Sequence, residues 1–177
     1  MTDYAAQIAE LTDQEARLRL PTFDFDAAFG IGSAIRSAFL QAHETGCASG
    51  VEGIVISIQL FSGHTLFSAA VGHAPSIGPD NWGWIQRKVN TVRRFGKSSF
   101  LVGRTLLAKG RDLDYLGPEY AAHGGAFPIH IRGNTTGAIG AIAVSGLSQE
   151  EDHRLVVDAI AAAIQAMSLR QGGEPKA

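Results

Sequence analysis

Residues 119–146, EYAAHGGAFPIHIRGNTTGAIGAIAVSG, constrain the fold of this chain most strongly. Phe127, Ile129 and Ile131 alternate with Pro128, His130 and Arg132, the period of a half-buried strand. Gly133-Asn134 supplies residues that tolerate positive φ, which is a turn signal. Thr136 to Val144 reads as the return strand, with small residues at Gly137, Ala138, Gly140, Ala141 and Ala143. Glycine weakens a strand unless something must approach closely, so a helix or another subunit is expected against it. At the entrance, His123 precedes Gly124-Gly125, a pair that can turn sharply and expose backbone N–H groups.

A second hairpin is predicted upstream. Ile54, Ile56 and Ile58 share one face of a strand over 53–61, with Val55, Ser57 and Gln59 on the other. Ser62-Gly63-His64 is its turn, and the return strand runs over 64–71. Four helices are expected around this sheet, at 24–45, 81–95, 99–109 and 149–168. Phe29, Ile35, Phe39 and Leu40 mark the buried side of the first, Trp82, Ile85, Val89 and Val92 that of the second. Asp24 or Asp26 caps the first, Asp80-Asn81 the second, Ser98 or Ser99 the third, and Ser148 with Glu151 forms a capping box for the fourth. Gly46 ends the first helix and Gly96 the second. The architecture is therefore α/β, a central antiparallel sheet covered by helices. Its domain spans 21–170, residues 1–20 form a helical appendage docking on the body or on a neighbour, and 171–177 form a frayed polar tail.

Charge is distributed unevenly. Residues 1–80 carry three basic and nine acidic groups, and 112–177 carry four and eight. The segment between them holds eight of the fifteen basic residues and no acid: Arg87, Lys88, Arg93, Arg94, Lys97, Arg104, Lys109 and Arg111. Such a basic centre suits an anionic ligand or complementary subunit contacts. A helix ending at Gly96 with another starting at Ser98 or Ser99 would place free N–H groups beside Arg94 and Lys97, an anion site. The loop 112–123 is either a lid, with Tyr115 and Tyr120 as aromatic walls, or simple turn packing. His64 and His73 fall in turns, and Cys47, the sole cysteine, excludes an internal disulfide. No P-loop, dinucleotide fingerprint or nucleophile elbow is present, and Glu150 to His153 diverge around a helix too far for one metal cage. The slight overall acidity argues against a nucleic-acid partner. An acidic, polar N-terminus and the lack of a 20-residue apolar run predict a cytoplasmic protein with no membrane contact.

The runs AAHGGAFPI and GAIGAIAVSGLSQEEDH, together with DNWGWIQRK and RFGKSSFLVG, resemble the haem-degrading-domain family of HbpS/GlcG-like proteins, in its branch of small bacterial and fungal members. The resemblance covers about Pro21 to Met167. It implies a profilin-like fold, a homo-oligomer larger than a dimer, and haem as a cofactor for some members, with degradation proposed. Two functions then stand. One is binding of haem or a similar anionic small molecule, extending to its turnover. His123 would be the ligand or acid–base group, and Lys88, Arg94 and Lys97 would hold carboxylates. Ser98, Gly124, Gly125 and His153 complete the candidate binding set. The other is a non-catalytic oligomeric scaffold or adaptor for a protein partner.

Overall fold

The computed structural model describes residues 3–44, 53–72 and 77–172. Gly46, Cys47 and His73 lie outside them, as does the tail beyond residue 172. The elements are α1 (Tyr4–Arg17), α2 (Phe25–Glu44), β1 (Gly53–Leu60), β2 (Thr65–Gly72), α3 (Pro79–Phe95), α4 (Ser99–Ala108), β3 (Ala126–Ile129), β4 (Gly140–Ser145) and α5 (Gln149–Gly172). The four strands form one antiparallel sheet in the order β2-β1-β4-β3. This is the helix-covered antiparallel sheet that the alternating patterns predict.

The two faces of the sheet carry different residues, and this decides which helix each receives. Ile54, Ile56 and Ile58 of β1 join Phe127, Ile129, Ile142 and Val144 in a core closed by Ile31, Ile35 and Phe39 of α2 and by Val156 and Ile160 of α5. Burying each such side chain contributes about 1.5–3 kcal/mol. On the opposite face Val55, Ala126, Ala141 and Ala143 meet Ile85, Val89 and Val92 of α3. The small residues of β4 are thus occupied by a helix of the same chain. Gly140 is glycine for a different neighbour, since a Cβ there would lie 2.3 Å from the Gln59 carbonyl oxygen of β1.

Several boundaries move. The third strand stops at Ile129 rather than Arg132, because Ile131 bridges in parallel to Leu20 and the main chain of Leu20 bonds His130 and Arg132. Residues 136–139 likewise precede β4, although Ile139 still donates to the Ile129 carbonyl. Helix α3 starts two residues early, at Pro79. Asn81 is then inside it, and its side chain accepts from the Gly78 N–H. Asp24 caps α2 by accepting from Ala27, and Ser148 and Glu151 make the expected reciprocal bonds. Phe29 and Trp82, read as core positions, are 66% and 38% exposed. Phe29 instead packs edge-on against Phe67 of β2 at 6.1 Å. Helix α1 docks on the body, along α4.

Candidate functional site

The basic residues of 81–111 do not form one patch: Arg93 faces Phe61, Arg104 pairs with Glu150 at 2.8 Å, and the others fall around two cavities. Arg94, Lys97, Lys109 and Arg111 line a cavity of about 530 Å³ beside α4, floored by Val102, Leu106 and Leu116. Phe95 and Tyr115 supply its aromatic edges. Arg94 lies over Phe95 and Tyr120, with its guanidinium carbon 5.2 and 4.8 Å from the ring centres, and Arg111 lies 4.5 Å over Tyr115. These cation–π contacts hold the two guanidinium groups against the aromatic rings and leave N–H donors for an anion. Among the described residues, no acid lines this cavity. The loop 112–123 contributes Tyr115 and Leu116 to its wall.

Lys88 is elsewhere. It is buried on the sheet side of α3, where its ammonium donates to Asp152 Oδ2 at 2.8 Å and to the Val144 carbonyl at 2.9 Å. Asp152 Oδ1 accepts from the Leu147 N–H. Burial lowers the Lys88 pKa and raises that of Asp152, and each partner's charge opposes the other's shift. The two groups are bound to each other and to the main chain of Val144, Gly146 and Leu147, so Lys88 is not free to grip a carboxylate in the cationic cavity.

His123 stands next to this pair. It shares a polar cavity of about 250 Å³ with Lys88, Asp152, Trp84, Asn81 and Gln149. Its ring meets Trp84 edge-on at 5.0 Å, and Nδ1 is buried without a partner. Burial is the first cause lowering its pKa, reinforced by Lys88 and Arg87 and opposed by Asp114. The imidazole is therefore neutral near pH 7. Within one chain His123 and Arg94 or Lys97 line different cavities, so the structure does not gather these candidates into a single site.

The remaining candidates have partners inside the chain. The Ser98 hydroxyl accepts from Leu101 as the α4 cap, and the Ser98 N–H donates to Glu15 Oε1 at 2.7 Å. The anion at the start of α4, beside Lys97, is thus the carboxylate of α1. Its pKa is raised by burial, against the opposing effects of Ser98 and Lys97. Gly124 and Gly125 are approached by protein rather than by ligand. A Cβ on Gly124 would meet the Gln149 carbonyl oxygen at 2.0 Å. Gly125, at φ +118°, would strike Val144 O and Lys88 Nζ. His153 is buried against Phe100 and Phe127, with Nε2 2.7 Å from Gln14 Oε1. It sits beneath α1, away from both cavities. Sequence reasoning missed Trp84 and Asp152. The only signal was their presence in the DNWGWIQRK and SQEEDH runs.

A further cavity of about 580 Å³ lies between α2 and α5, walled by Ala27, Ala34 and Ala162 among others, with Asp24, Asp26 and Arg170 as its charged groups. It brings together no histidine or cluster of cations. Among the described residues no group of His, Cys, Asp and Glu could hold a metal ion, and no helix is long and apolar enough to cross a membrane.

Comparison with known proteins places this architecture. The UPF0303 protein of Streptomyces avermitilis is 43% identical over 157 residues, covering 86% of this chain and 88% of the relative. The crystal structure of the Ybr137w protein superposes with a TM-score of 0.75 at 35% identity, over 90% of this chain and 88% of that one. A PduOC:haem complex shares the fold, with a TM-score of 0.58 at 18% identity, over 80% and 94%. Residues 23–161 match the family described as haem degrading protein HbpS-like, and the chain belongs to that HbpS-like family.

Proposed function

We propose that this protein binds haem or a similar amphipathic anion in the cavity beside α4, as a homo-oligomer larger than a dimer. The observation that carries the reading is the lining itself: four cations around an apolar floor, without an acid among the described residues. Its volume is within the roughly 300–1,000 Å³ usual for small-molecule sites. A porphyrin needs an apolar bed for its ring and cations for its two propionates. Val102, Leu106 and Leu116 would provide the first, and Arg94, Lys97, Lys109 and Arg111 the second. Tyr115 is the lining residue of a type that ligates haem iron. Bound haem would supply iron redox chemistry. The chain's own residues would neutralise the carboxylates, shield the ring from water and position it.

Titration with haemin is expected to give a saturable, shifted Soret band. Arg94→Ala should weaken binding about tenfold, the value of one charge-assisted hydrogen bond at an exposed rim. Unaltered affinity in Arg94→Ala and in Lys97→Ala would remove this cavity from the reading. Iron-free protoporphyrin separates carboxylate recognition from iron ligation, since it should retain most of the affinity if the cations dominate.

Assembly is supported by an exposed apolar face. Phe25 and Phe29, one turn apart on α2, are 75% and 66% exposed, more than an isolated domain usually leaves in water at adjacent positions. Sedimentation at micromolar concentration should give a species well above twice 18.7 kDa. A single 18.7 kDa species would end the oligomer proposal.

A further inference from the structure

We propose that the small cavity between α3, the Gly124-Gly125 turn and the start of α5 is a second binding site, for a small oxyanion bearing one hydroxyl group, the class of a short hydroxycarboxylate. At about 250 Å³ it is less than half the volume of the cationic cavity and has no broad apolar wall, so it does not suit a porphyrin.

The class of ligand follows from which polar atoms are already engaged. The Asn81 side-chain oxygen accepts from Gly78, which leaves its NH2 group to donate. The Gln149 side-chain oxygen faces the Gly124 N–H at 3.4 Å, and its NH2 group is likewise left. Lys88 spends two of its three N–H bonds on Asp152 and Val144. Both Asp152 oxygens are occupied, by Lys88 and by Leu147. The lining therefore offers several unspent donors. Against them stand the Ser145 hydroxyl and the neutral His123 ring, which makes no hydrogen bond among the described residues; its Nδ1 is buried, so Nε2 is the nitrogen a ligand could reach. Arg87, stacked 4.1 Å over Trp84, adds a positive charge at the edge, which the charge of Asp114 opposes at His123. A carboxylate satisfies these donors. A hydroxyl on the same small molecule gives its hydrogen to His123. Leaving that ring unpaired is what would penalise a ligand without the hydroxyl.

The probe pair is lactate and propionate, which differ by that hydroxyl. The readout is the Trp84 indole N–H resonance in a proton–nitrogen correlation spectrum, assigned with Trp82→Phe. Lactate is expected to move it saturably in the millimolar range, with propionate about tenfold weaker. In His123→Ala the two should become equal. In Gln149→Ala both should weaken. Arg94→Ala, altered only in the other cavity, should respond to lactate as the parent does, so loss of haem binding and loss of lactate binding are separable. No saturable shift with either acid, equal affinity for both in the parent protein, or an unchanged preference in folded His123→Ala would overturn the proposal. Should His123→Ala fail to fold by circular dichroism, His123→Phe keeps a ring against Trp84 and tests the same loss of preference.

Discussion

Lys88→Met is expected to destabilise the protein by about 3–5 kcal/mol, the cost of removing one member of a buried ion pair. For a domain of this size that is a fall in melting temperature of roughly 6–20 °C. The reason is geometric. Lys88 is 3% exposed and Asp152 2%, and without the ammonium the buried carboxylate keeps only the backbone N–H donors of Gly146 and Leu147. The variant should recover at low pH. Burial already raises the Asp152 pKa, and removing Lys88 removes a cause that opposes that rise. A group whose folded pKa is raised contributes stability that is complete below its unfolded pKa and is lost as pH rises through the folded one. The deficit of Lys88→Met should therefore shrink on acidification. Adding Asp152→Asn should restore part of the stability at neutral pH, since the amide oxygen can still accept from Leu147 with no charge left to bury. Urea unfolding of the parent, both single variants and the double variant gives the coupling directly. A Lys88→Met variant within about 1 kcal/mol of the parent would show that the pair is not buried as described.

This ion pair also marks the limit of what the sequence discloses. The alternation of Ile54, Ile56 and Ile58, a serine cap at Ser98 or Ser99, which falls to Ser98, and the box of Ser148 with Glu151 are local patterns that appear in the structure. Lys88 on an amphipathic helix reads as a solvated or ligand-facing cation. Only the sheet order, which brings α3 and the first turn of α5 to the two sides of Gly125, shows that it meets Asp152 64 residues away. The same long-range packing gathers Arg94, Lys97, Lys109 and Arg111 in one cavity and puts Lys88 in another. It also seats Glu15, from an element that sequence reasoning treated as an appendage, on the N–H of Ser98. Phe29 shows the converse error. Its helical spacing matches Ile35 and Phe39, yet the core face is only as wide as the sheet beneath it, and residues at its margin remain in water. Glycine is legible as a demand for close approach. What approaches Gly124 and Gly125, the chain's own carbonyls and Lys88, is not.

Acidification from about pH 6.5 to about pH 4 should withdraw roughly 3 kcal/mol of stability through His153 alone. Burial is the main cause that holds its pKa down at about 4, with the charge of Arg104 second. The ring packs on Phe100 and Phe127 with centroids 4.8 and 6.0 Å away, and Nδ1 has no partner. A proton there would be buried without an acceptor. The unfolded chain protonates the same residue near pH 6.5, so the unfolded state binds more protons across this window. Stability is then complete above pH 6.5, falls as pH drops, and has lost this contribution below pH 4. Glu15 and Asp152, whose pKa values are raised, act in the opposite sense at the acid end, while His123 and His130 act in the same sense as His153. The test is therefore a difference between two proteins in which those groups are shared. His153→Leu removes the titrating ring and keeps an apolar filling between Phe100 and Phe127. Its cost at pH 7.5 is the lost bond to Gln14 together with changed packing, and that cost should diminish and then reverse as pH falls toward 4. Parallel stability curves for parent and variant across the whole range would mean that His153 takes up its proton in the folded state as readily as in the unfolded one.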